Sequence, residues 1–290
     1  MRLTAALLLL SSASLLAQDP NIRTPQDVFR RNVGTKEQQM TPFTPFKIVG
    51  NLYYIGTEAL GSYLVVTPEG LILINSDYEG NVQGLKASVE KLGFKFTDIK
   101  WILGSHAHGD HMEGDALAKE LSGAKVVVMA EDVPALEKMR PGNKPHPMDR
   151  VIHDGDTVTL GGSTLVAHLT PGHTRGCTTW TLKVAEDGKT YDVVIIGSAG
   201  VNPGFQLVNN TETPQIADEY RRTFQVLYSL PCDIPLGSHP AMFNMTAKFA
   251  KLGKGPNPFI DPAGYRYEVA TNEQVFNLEL AAQQKTAAGK

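Results

Sequence analysis

The sequence predicts an α/β fold of two β-sheets packed face to face, with helices on both outer sides. Two observations predict it. Strands and helices follow the same order in two similar halves: a β-meander, a helix, a strand and a helix, then the same again. The apolar residues also change period along the chain, from short runs of Val, Ile, Leu and Tyr to helical spacing. Periodicity alone leaves other α/β layouts open.

The elements follow in order. Arg2 gives a positive start, and residues 3–16 are mostly Leu, Ala and Ser. That run is shorter than the roughly 20 residues needed to span a bilayer, so residues 1–17 read as a signal peptide. Cleavage after Ala17 leaves a mature chain from Gln18, although Leu15 is larger than the usual residue at that position. Export to a bacterial periplasm is expected, with residues 18–290 forming one domain that is free of the membrane. Residues 18–46 are polar, contain Pro and are weakly patterned, so an extended arm is expected there.

Strands are predicted at 52–56, 62–67 and 70–75, with Pro68, Glu69 and Gly70 turning between the last two. Val82, Leu85, Val89 and Leu92 mark a helix that Gly93 stops. A strand at 100–105, a helix at 116–121 and a strand at 125–130 come next. Residues 131–139 look helical, and Pro141, Pro145 and Pro147 mark a loop. The second β-rich run covers 158–160, 163–170, 178–184 and 192–197. Pro214 opens a helix carrying Ile216, Tyr220, Leu227 and Leu230, followed by a strand at 234–237. Asn272 caps a last helix through Gln283.

The composition excludes some partners. A formal net charge of -3 gives no basic field for nucleic acid or an anionic membrane. Cys177 and Cys232 could pair in an oxidising compartment, but neither has the neighbouring Cys of a thiolate zinc site.

The chemistry lies in the histidines. Residues 105–111 read Ser-His-Ala-His-Gly-Asp-His, between a predicted strand and a predicted helix. His106 and His108 are two residues apart, so they point the same way on leaving the strand. Asp110 and His111 then turn toward a second position. His173 and His239 each follow another strand, at the kind of junction where α/β folds place ligands. Five imidazoles and one carboxylate suffice for two zinc ions with room left for water. A purely structural zinc site is usually closed by four ligands and rich in Cys, which this set is not. His168 reads as a hydrogen-bonded strand residue, His153 as a turn residue, and His146 as part of a Pro-rich loop.

The His-x-His-x-Asp-His run at 106–111, the later Pro-Gly-His-Thr and the final Gly-Ser-His-Pro resemble the metallo-β-lactamase superfamily. The segments 153–162, 170–180 and 257–262 are most similar to its subclass B3. The resemblance covers nearly the whole mature chain and implies a four-layer αββα sandwich. It implies two Zn2+ per chain, one held by His106, His108 and His173, the other by Asp110, His111 and His239. It also implies hydrolysis of the amide bond of β-lactam antibiotics by metal-activated water, which Asp110 orients. Ser198 stands where glyoxalase II-like and lactonase-like relatives usually carry a metal-bridging Asp and other subclasses carry Cys. It would contact the substrate. Gly109 and the pair Met112-Glu113 depart from many B3 members, as does Tyr265, which takes the place of a Cys that in some members pairs with one like Cys232. Two other readings remain open: a lactone, thioester or phosphoester hydrolase on the same scaffold, or a non-catalytic periplasmic metal-binding protein. Neither the preferred substrate nor the oligomeric state is given by the sequence.

Overall fold

The computed structural model describes residues 21–289. The signal peptide expected at 1–17 lies outside the described residues. Two mixed sheets face each other, with helices on both outer sides, in an αββα order.

The first sheet runs in chain order: β1 (Phe46–Val49), β2 (Leu52–Tyr54), β3 (Tyr63–Thr67), β4 (Gly70–Ile74), β5 (Ile99–Leu103), β6 (Lys125–Met129) and β7 (Arg150–Ile152). Its first four strands pair antiparallel through short connections, whereas β4 to β7 pair parallel. Parallel pairing needs a long crossover, and helices supply it. The second sheet has β8 (Thr157–Leu160), β9 (Ser163–Leu169), β10 (Thr178–Glu186), β11 (Lys189–Ile196) and β12 (Ile234–Gly237), in the spatial order β12-β11-β10-β9-β8. Only β12 joins in parallel.

The alternation of side chains explains the layers. In β3 and β4, Val65, Ile72 and Ile74 join Leu165, Trp180 and Leu182 of the second sheet in one apolar core. Their neighbours Leu64, Leu71 and Leu73 point the other way, onto Val82, Leu85 and Val89 of α3 (Val82–Lys91). Each such side chain, removed from water, contributes roughly 1.5–3 kcal/mol. The residues 193–196 of β11 are buried in succession, as expected for a strand covered on both faces.

The remaining helices are α1 (Pro25–Val33), α2 (Lys36–Met40), α4 (Gly109–Met112), α5 (Asp115–Ser122), α6 (Val133–Leu136), α7 (Ile216–Ser229), α8 (Met245–Phe249) and α9 (Pro262–Ala288). Among the described residues no helix is long and apolar enough to cross a membrane.

Two expectations need correction. The arm over 18–46 is not simply extended, because it folds into α1 and α2. Thr24 accepts the Asp27 amide at 3.2 Å while Asp27 accepts the Thr24 amide at 2.9 Å, a reciprocal cap. Thr35 and Gln38 repeat it at 3.1 and 2.9 Å. The last helix starts ten residues earlier than Asn272, at Pro262, with Asp261 accepting the Gly264 amide at 2.9 Å. Strands β1 and β7 and the short α8 were not foreseen. Cys177 and Cys232 are both free.

Candidate metal centre

The site lies at one end of the sandwich, where β5, β9, β11 and β12 all finish. The strands β9, β11 and β12 run the same way, so their C-terminal ends meet at one edge. Hydrogen bonds draw the two sheets together there. The Thr178 amide donates to the Ser105 carbonyl at 2.7 Å, and Trp180 Nε1 donates to the Gly104 carbonyl at 3.0 Å. From the other side the Gly61 amide donates to the Ser238 carbonyl at 2.8 Å.

Each donor is delivered by a strand end. His106 follows β5, and His108 takes the extended backbone just ahead of α4. The single turn of α4 then brings Asp110 and His111 round to a second position. His173 comes from the loop after β9, and His239 lies two residues beyond the end of β12. All six predicted side chains converge. The donor atoms of His106, His108 and His173 lie within 4.8 Å of one another, as do those of Asp110, His111 and His239. The two groups adjoin, with the His106 and His111 rings 4.3 Å apart between centroids. Asp110 Oδ2 is 3.3 Å from His111 Nε2 and 3.8 Å from His239 Nε2.

The chemistry of the donor set fits metal ions. The Nδ1 atoms of His173 and His239 face the carbonyls of Gly200 and Ala59, at 2.7 and 3.0 Å, which fixes those tautomers and turns Nε2 inward. His106 Nδ1 meets the Ser105 hydroxyl at 3.2 Å. His106 Nε2 and both ring nitrogens of His111 are buried without a hydrogen-bond partner, a condition that a cation would relieve. Burial pushes the His111 and His173 pKa values down to about 3, and those of His106 and His239 down as well, so these imidazoles stay neutral. Burial pushes the Asp110 carboxyl up, but His111, His239 and His108 together hold it below the usual carboxylate range.

Both groups open into one cavity of about 260 Å3. Ser198 lines it, nearly buried, with its hydroxyl accepting the Gly200 amide at 3.4 Å. Val28, Phe29 and Val33 of the unforeseen α1 form an apolar wall, and Phe29 is left exposed. The two Thr-x-x-acid/amide patterns at 24–27 and 35–38 were the signal for these helices. A Cβ at Gly109 would meet Tyr78, which lines the cavity, at an ordinary contact distance of 3.6 Å, so a side chain there would not clash. The other histidines do not enter the site. His146 is buried beneath α4 and α5, 3.1 Å from Asp115 Oδ2 and from the Met112 carbonyl. His168 is half-buried and bonds Thr181 across β9 and β10 at 2.9 Å, and His153 lies exposed in the turn before β8.

A two-sheet sandwich with adjoining three-His and Asp-His-His groups at one edge defines a class, the metal-binding hydrolases with a two-ion centre. The chain belongs to the metallo-beta-lactamase superfamily, which it matches over residues 62–234. It is similar in structure to the native FEZ-1 metallo-beta-lactamase from Legionella gormanii, at 51% identity and a TM-score of 0.81, covering 84% of this chain and 98% of that one. It is also similar to BJP-1, a subclass B3 metallo-beta-lactamase of Bradyrhizobium japonicum, at 36% identity and a TM-score of 0.79, covering 88% and 99%. A hydroxyacylglutathione hydrolase from Hyphomonas neptunium is 36% identical over 90 residues, 31% of this chain and 30% of that protein. The chain spans about a third of the length of the first such curated relatives it matches.

Proposed function

We propose that this protein is a subclass B3 zinc β-lactamase that hydrolyses the amide bond of β-lactam antibiotics. The observation that carries this reading is Ser198. It lines the cavity shared by the two donor groups, and by the family resemblance it stands where thioester and lactone hydrolases usually carry a bridging carboxylate. Identity of 51% to a metallo-beta-lactamase over 98% of that chain supports it further.

His106, His108 and His173 would hold one zinc ion, and Asp110, His111 and His239 the other. Bound there, zinc supplies Lewis acidity and lowers the pKa of water toward neutrality. The protein does the rest. Asp110 stays ionised, so it accepts a hydrogen bond from the attacking water and orients it toward the lactam carbonyl. The α1 wall covers the apolar side of the substrate. The Ser198 hydroxyl contacts the substrate carboxylate. It is not arranged as a nucleophile, since no imidazole among the described residues hydrogen-bonds to it. We also propose that the chain is exported to the periplasm through residues 1–17, where these antibiotics arrive.

The test is an assay of the zinc-loaded protein on a cephalosporin, a penicillin and a carbapenem, with and without a chelator. Chelator-sensitive hydrolysis of any of them is expected. The partial match to hydroxyacylglutathione hydrolases favours a second reading, thioester hydrolysis. A folded, zinc-loaded sample that leaves all three lactams intact but cleaves a glutathione thioester would establish that reading instead.

A further inference from the structure

We propose that Asp132 is a positioning residue that sets the geometry of the three-histidine group. The proposal rests on the metal-centre reading above. Asp132 follows β6, and its side chain is nearly fully buried. Its Oδ2 accepts the Ala107 amide at 2.8 Å and the Thr174 hydroxyl at 3.0 Å. Its Oδ1 accepts the Gly176 amide at 2.7 Å. Ala107 is the residue between His106 and His108, and Thr174 follows His173. One carboxylate therefore grips both loops that carry this group, although one loop leaves the first sheet and the other belongs to the second.

The local chemistry shows what this side chain is for. Asp132 stands at the N-cap of α6, where an Asp ordinarily accepts an amide of its own helix, yet its side chain makes no capping bond. Its oxygens face the metal loops instead. All three partners are donors, and only a carboxylate offers acceptors on both oxygens. An amide would aim an NH2 at one of them. Gly176 lets the loop come this close: a Cβ there would sit 2.5 Å from the Asp132 amide nitrogen and 2.7 Å from its Cγ.

The experiment uses the full mature chain and the variant Asp132→Asn. Zinc affinity is measured by competition with a chromophoric chelator, and the cobalt-loaded protein gives a visible spectrum of ligand geometry. The variant should lose about 10- to 100-fold in affinity for the first ion and show altered cobalt bands. Val184→Ala, a core truncation in β10 away from the site, controls for plain destabilisation and should keep the parent's affinity and spectrum. If Asp132→Asn fails to fold, Thr174→Val removes one donor, leaves the carboxylate in place, and should shift affinity the same way by less. Parent-like affinity and spectrum in the variant that folds would overturn the proposal. So would a loss that Val184→Ala reproduces at equal melting temperature. A parent chain that takes up neither zinc nor cobalt would overturn the metal-centre reading and the proposal with it, whereas the first two outcomes leave that reading intact.

Discussion

The two donor groups share a cavity but are held to different standards. In the His106–His108–His173 group, two rings have their outer nitrogen engaged, and one buried carboxylate ties the supporting loops together. In the Asp110–His111–His239 group, two donors share a single turn of helix, and His111 has neither ring nitrogen hydrogen-bonded. Only His239 is anchored, through the Ala59 carbonyl. A buried polar atom without a partner costs about 1–3 kcal/mol. The first group is thus held more firmly by the fold itself, with one buried ring nitrogen, His106 Nε2, left without a partner, whereas the second leaves both nitrogens of His111 for an ion to satisfy.

The sharpest break in this comparison is removal of a donor from the more firmly held group. On the proposed function, His106→Ala should lower lactam turnover by more than about 100-fold, beyond what loss of a supporting hydrogen bond costs. The measurement is kcat/KM with a chromogenic cephalosporin beside zinc content. His239→Ala should instead lose one ion of two and keep the other, seen as a halved zinc-to-protein ratio after dialysis. If His239→Ala empties both positions, the two groups are not separable.

Acid affects both groups alike. The unfolded histidine value is about 6.5, and burial holds His111 and His173 at about 3 in the fold. Between those values the unfolded chain binds more protons than the folded one. Stability is therefore present above about pH 6.5 and lost as pH falls toward 3, by up to about 1.4 kcal/mol per pH unit for each such imidazole. Urea midpoints of the metal-free chain at pH 7 and pH 5 should differ in that direction. A flat response would mean that these rings are hydrated.

The smallest effects lie on the cavity wall. Phe29→Ala should raise KM by about tenfold or less with kcat nearly unchanged, as uniform binding contacts do. Ser198→Ala removes the hydrogen bond to substrate proposed for that hydroxyl and should cost roughly 2- to 10-fold in kcat/KM. An unchanged KM in both variants would place the substrate on the opposite wall.

The donors were legible in the sequence because their signal is local. Alternation out of β5 and a turn of α4 put His106, His108, Asp110 and His111 on two positions, and His173 and His239 were recognisable at strand ends. The α1 wall was missed because its polar composition masks two capping patterns that are visible once the threonines are paired with Asp27 and Gln38. Asp132 was invisible for a different reason. An Asp ahead of Val-Pro looks like an ordinary cap, and nothing nearby in sequence announces partners at Ala107 and Gly176. The start of α9 was missed because Asp261-Pro262 reads equally well as a turn. Contacts between distant segments carry no period, so only the folded chain reveals them.

Four of the six proposed ligands fall between residues 106 and 111, so they stay neighbours even in a chain with no fold. A denatured or newly made polypeptide therefore already offers zinc a partial grip. Metal stabilises a protein only by the difference between its hold on the native state and its hold on the unfolded one. His173 and His239 join that stretch only once the second sheet has docked on the first. Zinc should consequently raise the melting temperature by less than its native affinity alone implies, and that shortfall measures how much of the centre survives unfolding.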